Sequence, residues 1–225
     1  MRVLAGTVIT LLAVAGSSGQ VPDAGAVAGR VVLTTAARGV PLASNAYLPR
    51  SVGSHQPART PEIQNVIVYL SDPALKGPPA VARHVIEQKN EAFFPRVLAV
   101  TRGSVVSFPN EDPYFHNVFS LSRASTFDLG RYRQHQSREQ RFTTTGLVKV
   151  YCHIHSHMSA SILVLDHPYF TVPNLDGTFT LPAVPAGRYT IVGWHERVGE
   201  RTGVIDVEPG RTASIDLSLP VEDDR

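Results

Sequence analysis

The feature that most limits the fold of this chain is the frequent occurrence of turn residues. They separate short apolar runs that are rich in β-branched residues. Gly and Pro contribute 17 residues each, which suits many turns rather than long helices. Strand candidates include residues 27–33, 65–70, 84–88, 104–108 and 147–152. Beyond the N-terminal segment only residues 73–91 are ambiguous, and no stretch shows convincing helical periodicity. The sequence therefore predicts an all-β protein built from β-sandwiches.

The composition excludes several classes of protein. A length of 225 residues allows one large domain or two small ones, and a hydrophobic fraction of 43% excludes wholesale disorder. Lys and Arg number 21 against 19 Asp and Glu, and a net charge of +2 gives no electrostatic case for a nucleic-acid partner. Cys152 is the one cysteine, which excludes an internal disulfide and a zinc site made of several cysteines.

Residues 1–19 have the layout of a secretory signal peptide. Arg2 supplies a positive start, residues 3–16 are apolar, and small residues follow. The apolar run is shorter than the ~20 residues that span a bilayer comfortably. We therefore expect an exported protein, periplasmic or secreted, with no membrane span in the mature chain. The alternative is an uncleaved membrane anchor.

The chemistry is concentrated in residues 151–158, which read Tyr-Cys-His-Ile-His-Ser-His-Met. This octapeptide holds the lone cysteine, the one methionine other than the initiator, and three histidines. A lone Cys or a lone Met is most simply a packed core residue. Their occurrence together with imidazoles favours a metal site instead, and a soft thiolate and thioether with nitrogen ligands select copper.

Strand periodicity predicts where these side chains lie. Val148, Val150 and Cys152 share one face of a strand, which directs the thiol toward the core. Residues 160–165 form the return strand, so the intervening loop brings His155 and the methionine to the same end of a hairpin.

A trigonal copper site requires a second imidazole. His116 is the candidate, because we expect it just after the strand at 104–108. It precedes Cys152 by 36 residues, a separation long enough for the chain to cross over and return to the same end. A catalytic Cys-His pair is the weaker reading, since no oriented base or oxyanion donor is evident nearby.

Residues 108–165 resemble the blue-copper cupredoxins, in which one upstream His and a Cys-x2-His-x2-Met hairpin bind copper. The short spacing is similar to that of amicyanin and plastocyanin-like members, and the Phe-Pro-Asn-x-Asp and His-Asn-Val-Phe-Ser patterns are similar to exported relatives of methylamine-utilisation proteins. The resemblance implies a Greek-key cupredoxin domain at residues 80–166 with one type 1 copper site. The matching ligand positions are His116, Cys152 and His155 for the trigonal set, and Met158 as the weak axial ligand.

The same resemblance gives Asn117 the role of joining the two ligand loops by hydrogen bonds. His153 and His157 depart from the pattern. Either histidine would compete as a ligand or form a second, surface metal site. Spacing from Cys152 favours His155, because a residue adjacent to the cysteine points to the opposite face of the strand, and His157 is the second choice.

The remainder of the chain resembles a second, small Ig-like or transthyretin-like β-sandwich of the carboxypeptidase regulatory-like type, with the clearest likeness at residues 171–191. We predict that residues 25–75 and 167–220 form this sandwich discontinuously and that the cupredoxin domain is inserted into it. Alternatively, the N-terminal strands extend the cupredoxin sheet. Trp194 and His195 are most simply structural.

Together these expectations describe an exported type 1 copper protein that transfers single electrons to or from a redox partner protein and is not an enzyme. We expect Phe108 and Phe115 to shield the thiolate from water, together with the two valines that share its strand, and the ring edge of His155 to be the exit for the electron. There are two alternatives. A copper carrier or sensor would use the same residues in an open, exchangeable site, and a non-metal adhesion or carbohydrate-binding sandwich would leave Cys152 inert.

Overall fold

The computed structural model describes residues 23–34, 61–73, 75 and 81–221, and this part of the chain is almost entirely β-structure. The all-β prediction is confirmed, and the described helical structure is one 3-10 turn over Glu62–Asn65. The strands in chain order are β1 (Ala24–Leu33), β2 (Val66–Ser71), β3 (Arg83–Val85), β4 (Glu87–Lys89), β5 (Ala92–Phe94), β6 (Val97–Thr101), β7 (Val105–Pro109), β8 (His116–Ser122), β9 (Ser125–Tyr132), β10 (Ser137–Arg141), β11 (Gly146–Tyr151), β12 (Ser159–Leu165), β13 (Phe170–Thr171), β14 (Thr178–Pro185), β15 (Gly187–His195), β16 (Gly199–Val207), β17 (Thr212–Ser214) and β18 (Leu217–Leu219).

The predicted signal peptide lies outside the described residues. No helix among the described residues is both long and apolar enough to pass through a bilayer.

Two sheets enclose the core that carries the candidate site. One has the strand order β6-β12-β11-β8-β9 and the other β10-β7-β3. β11 and β12 form an antiparallel hairpin, and β8 also lies antiparallel to β11, whereas β6 runs parallel to β12. The apolar residues between the sheets come from positions 86–164 and include Phe108, Tyr132 and Ile162.

A second pair of sheets is formed by the two ends of the described chain. β13-β2-β15-β16 makes one sheet, and β14-β1-β17 makes the other, with β18 also paired to β1. Their shared core contains residues from 27–75 and from 179–221. Neither β1 nor β2 pairs with any strand from β3 to β12, so these N-terminal strands do not extend the sheets around the candidate site.

A third apolar cluster joins the two pairs of sheets. Leu163 and Leu165 of β12 face away from the first core and pack with residues of β6, β2 and β15, including Trp194. Side chains alternate along a strand, so Ile67 and Tyr69 of β2 enter this cluster while their neighbours enter the second core. Burial on both faces explains why residues 66–70 read as a continuous apolar run.

A largely buried carboxylate lies at the edge of this junction. Glu196, in the turn after β15, forms an ion pair with Arg96 and lies 3.1 Å from Lys149 Nζ. Ser161 Oγ of β12 donates a hydrogen bond to the same carboxylate at 3.1 Å. Burial opposes ionisation, but the two cations and the serine outweigh it and lower the pKa of Glu196.

Trp194 and His195 are buried, as expected of structural residues. The indole belongs to the junction cluster. His195 Nε2 lies 3.0 Å from Glu62 Oε2, and its Nδ1 accepts a hydrogen bond from the backbone N–H of Arg197. The imidazole therefore has partners at both ring nitrogens and fixes the 3-10 turn against β15.

Two strand assignments differ from the sequence prediction. The strand expected from His84 to Gln88 is divided at Ile86 into β3 and β4, which belong to different sheets. The β8–β9 hairpin was not predicted, because β9 is largely exposed and polar and lacks an apolar run. His116 therefore opens β8 instead of directly following β7, which is a correction to the sequence prediction.

Candidate metal centre

His116 and Cys152 come together because they lie at the same end of two antiparallel strands. His116 is the first residue of β8, and Cys152 directly follows β11. The two strands pair at Phe119 and Tyr151, next to these positions. Cys152 Sγ lies 3.9 Å from His116 Nδ1, and both side chains are buried. The thiol and the first imidazole therefore meet inside the core.

The loop between β11 and β12 contributes the second imidazole. His155 Nδ1 lies 3.0 Å from His116 Nδ1, and the two rings meet edge to face. Backbone hydrogen bonds close the loop, from Met158 N to His155 O at 3.0 Å and from Cys152 N to Met158 O at 3.4 Å. One ligand atom each from His116, Cys152 and His155 lies within 4.8 Å of the other two.

Met158 is at the end of this loop. Its side chain is 1% exposed and belongs to the same apolar core as Cys152. Met158 therefore lies in the core that also holds Cys152, as a fourth ligand must.

The flanking histidines have other contacts. His153 stacks on Phe119 with ring centroids 3.6 Å apart, and its Nε2 lies 3.7 Å from Asp128 Oδ2. His157 Nε2 lies 3.4 Å from Glu91 Oε2 at the surface. Within the described ranges, the cluster containing His155 is the sole group of three or more His, Cys, Asp or Glu side chains suited to holding a metal ion.

Asn117 joins the two loops in the way that the cupredoxin resemblance implies. Its Oδ1 accepts a hydrogen bond from the backbone N–H of His153 at 2.7 Å, and its Nδ2 donates to Asp128 Oδ1 at 3.3 Å. Its own backbone N–H contributes to lowering the pKa of the Cys152 thiol. The first residues of β8 and of the cysteine loop are thus fixed relative to one another.

The protein environment favours a thiolate at Cys152. Burial by itself would raise the pKa of this thiol, but the hydrogen bond with His116 and three backbone N–H groups outweigh burial and lower the pKa to about 7. Burial lowers the pKa of His116, but hydrogen bonds and charges from Cys152 and Asp112 reverse this effect and raise it. The anionic sulfur and the first imidazole therefore stabilise each other.

His155 has the opposite tendency. Burial lowers its pKa, and repulsion by His116 lowers it further. A neutral imidazole has a lone pair on one ring nitrogen, and this is the state in which histidine binds metals. His155 Nδ1 faces His116 Nδ1, so this ring nitrogen is the one that would bind a metal in the cluster.

The shielding of the thiolate differs in part from the prediction. Val148, Val150 and Phe108 are fully buried around it, as expected. Phe115 is 51% exposed, so the expectation that it covers the thiolate is wrong. Phe115 lies on the loop before β8, where Arg133 sits over its ring at 5.8 Å, and this loop turns the ring toward solvent.

Sequence reasoning missed the role of Asp112, the acidic residue of the Phe-Pro-Asn-x-Asp pattern. Its Oδ2 lies 2.9 Å from His116 Nε2, the ring nitrogen on the far side from the cysteine. The signal in the sequence was an acidic residue four positions before a candidate ligand, inside a short loop. That signal was overlooked because acidic residues in loops are usually solvated.

The donor set fits copper by its chemistry. A thiolate, two imidazoles and a weak axial thioether make up the ligand set of blue-copper electron-transfer sites. Three of these groups converge here with their ligand atoms facing one another, and the fourth is buried in the same core.

The comparisons with known proteins are limited. No protein-family model matches the chain, and no curated protein matches it. A Cu-containing nitrite reductase from Thermus scotoductus SA-01 shares 21% identity over 43% of this chain and 25% of that chain, with a TM-score of 0.35. An amicyanin variant in the Cu(I) form shares 17% identity over 44% of this chain and 98% of that chain, with a TM-score of 0.35. An oxidised amicyanin variant shares 18% identity over 44% and 98%, with a TM-score of 0.35. Likenesses at this level carry no conclusion about what this chain binds.

Proposed function

We propose that this chain is an exported type 1 copper protein of the cupredoxin kind that carries single electrons. The observation that carries the proposal is the convergence of His116 Nδ1, Cys152 Sγ and His155 Nδ1 within 4.8 Å of one another. These side chains come from two loops 36 or more residues apart, so local sequence alone does not bring them together.

Each residue has a distinct role in this proposal. Cys152, His116 and His155 would be the main ligands of a copper ion, and Met158 would be a fourth, weaker ligand. Bound copper would supply a one-electron couple between Cu(I) and Cu(II). The buried valines beside Cys152 keep water from the sulfur, and Asn117 holds the two ligand loops at a constant separation.

The path of the electron follows from the exposure of the candidate ligands to solvent. His116 and Cys152 are buried, whereas His155 is partly exposed, so its ring edge is the path between the site and a partner protein. Such a carrier would accept one electron from a donor protein and pass it to an acceptor protein, with no substrate bond made or broken. If Met158 were the fourth ligand, the ion would have no open position for a substrate, and for this reason we propose a carrier and not an enzyme.

We also propose the domain division that the sequence suggested, with a cupredoxin domain at 80–166 inserted into a sandwich made of 25–75 and 167–220. Two observations support this division. The two main cores draw on separate sets of positions, and β1 and β2 pair with strands from the C-terminal part of the chain. Export through the segment 1–19 completes the proposal.

A titration of the metal-free protein with Cu(II), followed by visible absorption, tests the function. We expect one equivalent of copper to produce an intense blue colour, because the thiolate binds the ion directly. Cys152→Ser should abolish the colour, and His153→Gln should keep it. A colourless stoichiometric copper complex would contradict the type 1 assignment.

The same titration, followed by addition of a weak chelator, distinguishes the two alternatives. A carrier or sensor would give up its copper to a weak chelator, whereas an electron-transfer site retains it through repeated oxidation and reduction. A non-metal binding sandwich would show no stoichiometric copper at all.

A further inference from the structure

A buried carboxylate lies behind the first imidazole. Asp112 is 5% exposed, and its Oδ2 is 2.9 Å from His116 Nε2. The other ring nitrogen of His116, Nδ1, is the atom that faces Cys152 Sγ and His155 Nδ1. The histidine therefore stands between the candidate ligands on one side and an acidic group on the other.

The carboxylate also holds a turn of the neighbouring hairpin. Asp112 Oδ1 accepts a hydrogen bond from the backbone N–H of Asn90 at 2.6 Å, and Oδ2 accepts one from that of Glu91 at 2.8 Å. These two residues form the β4–β5 turn with positive φ values of 53° and 54°, as a two-residue turn of the I′ type requires. Asp112 is itself held by Asn110, whose Oδ1 accepts its backbone N–H at 2.9 Å.

These contacts determine the chemical state of both partners. Both oxygens of Asp112 accept from N–H donors, which an ionised, acceptor-only carboxylate satisfies. The third of these donors is the imidazole, so the proton of neutral His116 resides on Nε2. Its Nδ1 is then left with the lone pair. A metal-ligating histidine is commonly oriented in this way by an outer hydrogen-bond partner.

We infer that Asp112 is a positioning residue that fixes His116 Nδ1 as the metal-facing atom and adds a second buried negative charge that favours Cu(II) over Cu(I). This inference rests on the proposed copper function. The Cys152 thiolate and the Asp112 carboxylate together neutralise the divalent ion, whereas with the monovalent ion they leave a net negative charge in a buried site. Like charges left uncompensated in a low-dielectric environment are costly, so the reduced state is the disfavoured one.

The first test compares two substitutions that change the net charge equally. Asp112→Asn removes the carboxylate behind His116, and Glu111→Gln removes an exposed neighbour that faces His135. We expect Asp112→Asn to weaken Cu(II) binding by about 10- to 100-fold and Cu(I) binding less. A tenfold difference between the two losses raises the midpoint potential by about 59 mV for this one-electron couple. Glu111→Gln should leave both properties near the wild-type values.

An unchanged potential in Asp112→Asn, or equal shifts in the two variants, would overturn the inference while leaving the copper site itself intact. Absence of copper binding in the wild type would instead reject the proposed function. The two failures are therefore distinguishable.

A second test uses the metal-free wild type and does not depend on how well a variant folds. Nitrogen-15 NMR of the histidine rings at alkaline pH should show neutral His116 with its proton on Nε2 and a bare Nδ1. Amide hydrogen exchange should show protection of the Asn90 and Glu91 N–H groups. The opposite tautomer of His116 would overturn the inference, whatever the copper experiments give.

Discussion

The Nδ1 atoms of His116 and His155 lie 3.0 Å apart although the residues are separated by 39 positions in the chain. Two N–H groups cannot point at each other at this distance, so at least one of the nitrogens carries a lone pair instead of a proton. Two imidazoles held in this way beside a thiol direct one ring nitrogen each toward a common point. The arrangement leads to separate expectations for each candidate ligand.

The choice among the three clustered histidines is tested by matched substitutions. Loss of an outer hydrogen-bond partner reduces metal affinity by about 10- to 100-fold. We expect His155→Ala, which removes a ligand itself, to reduce Cu(II) affinity by more than this. His157→Ala should have little effect, because His157 faces Glu91 at the surface. Calorimetric copper titration measures both. A larger loss in His157→Ala than in His155→Ala would assign the ligand to His157.

The axial role of Met158 is tested by Met158→Leu. Leu has a similar volume, so the fully buried site should lose less than about 1.5 kcal/mol in free energy of unfolding. Copper should still bind through the other three ligands, but the midpoint potential should rise because the axial donor to Cu(II) is gone. Voltammetry of the two proteins provides the comparison. A potential identical to that of the wild type would show that Met158 only fills the core.

The metal-free protein should have an acidic thiol. The pKa of Cys152 is lowered from 9.0 to about 7, so the thiolate should predominate above pH 7 and be protonated below it. The ultraviolet absorption of the thiolate, followed against pH, measures this. His116→Asn should move the midpoint upward toward 9.0, because the hydrogen bond with the imidazole is a main cause of the shift. His153→Gln should leave the midpoint in place, and an upward shift in this control would point to a general loosening of the loop.

The junction carboxylate should make stability depend on acidity. The pKa of Glu196 is lowered from 4.5 in the folded protein, so its contribution is complete above pH 4.5 and is lost as the pH falls through the folded-state value. At neutral pH, Glu196→Gln should reduce the free energy of unfolding by about 1–3 kcal/mol. Denaturant unfolding at several pH values should show this difference shrinking below pH 4.5. A difference that stays constant would contradict the assignment. Glu208→Gln, on an exposed side chain paired with Arg211, is the control.

The sequence predicted the general fold because apolar runs mark buried strands. The alternation at Val148, Val150 and Cys152 correctly placed the thiol in the core. The grouping of Cys152 and His155 followed from their closeness in the chain. What the sequence did not predict was β9, whose exposed polar residues carry no apolar signal.

The contacts behind the site could not be predicted for a different reason. Asp112 becomes significant only when the β4–β5 turn, 21 residues upstream, folds over it. No local pattern encodes that approach, because it depends on how two loops are arranged in space. The exposed position of Phe115 was missed for the same reason, since an apolar residue next to a ligand gives no indication of which side of its loop faces solvent.

β12 has apolar side chains on both faces. Ala160, Ile162 and Val164 support the loop that holds the candidate ligands, while Leu163 and Leu165 form part of the contact with the other pair of sheets. A substitution that changes the packing on one face of β12 moves the strand and therefore disturbs the packing on its other face. The two halves of this protein are therefore constrained to evolve together, and grafting the ligand hairpin onto another scaffold would require bringing along a partner for its outer surface.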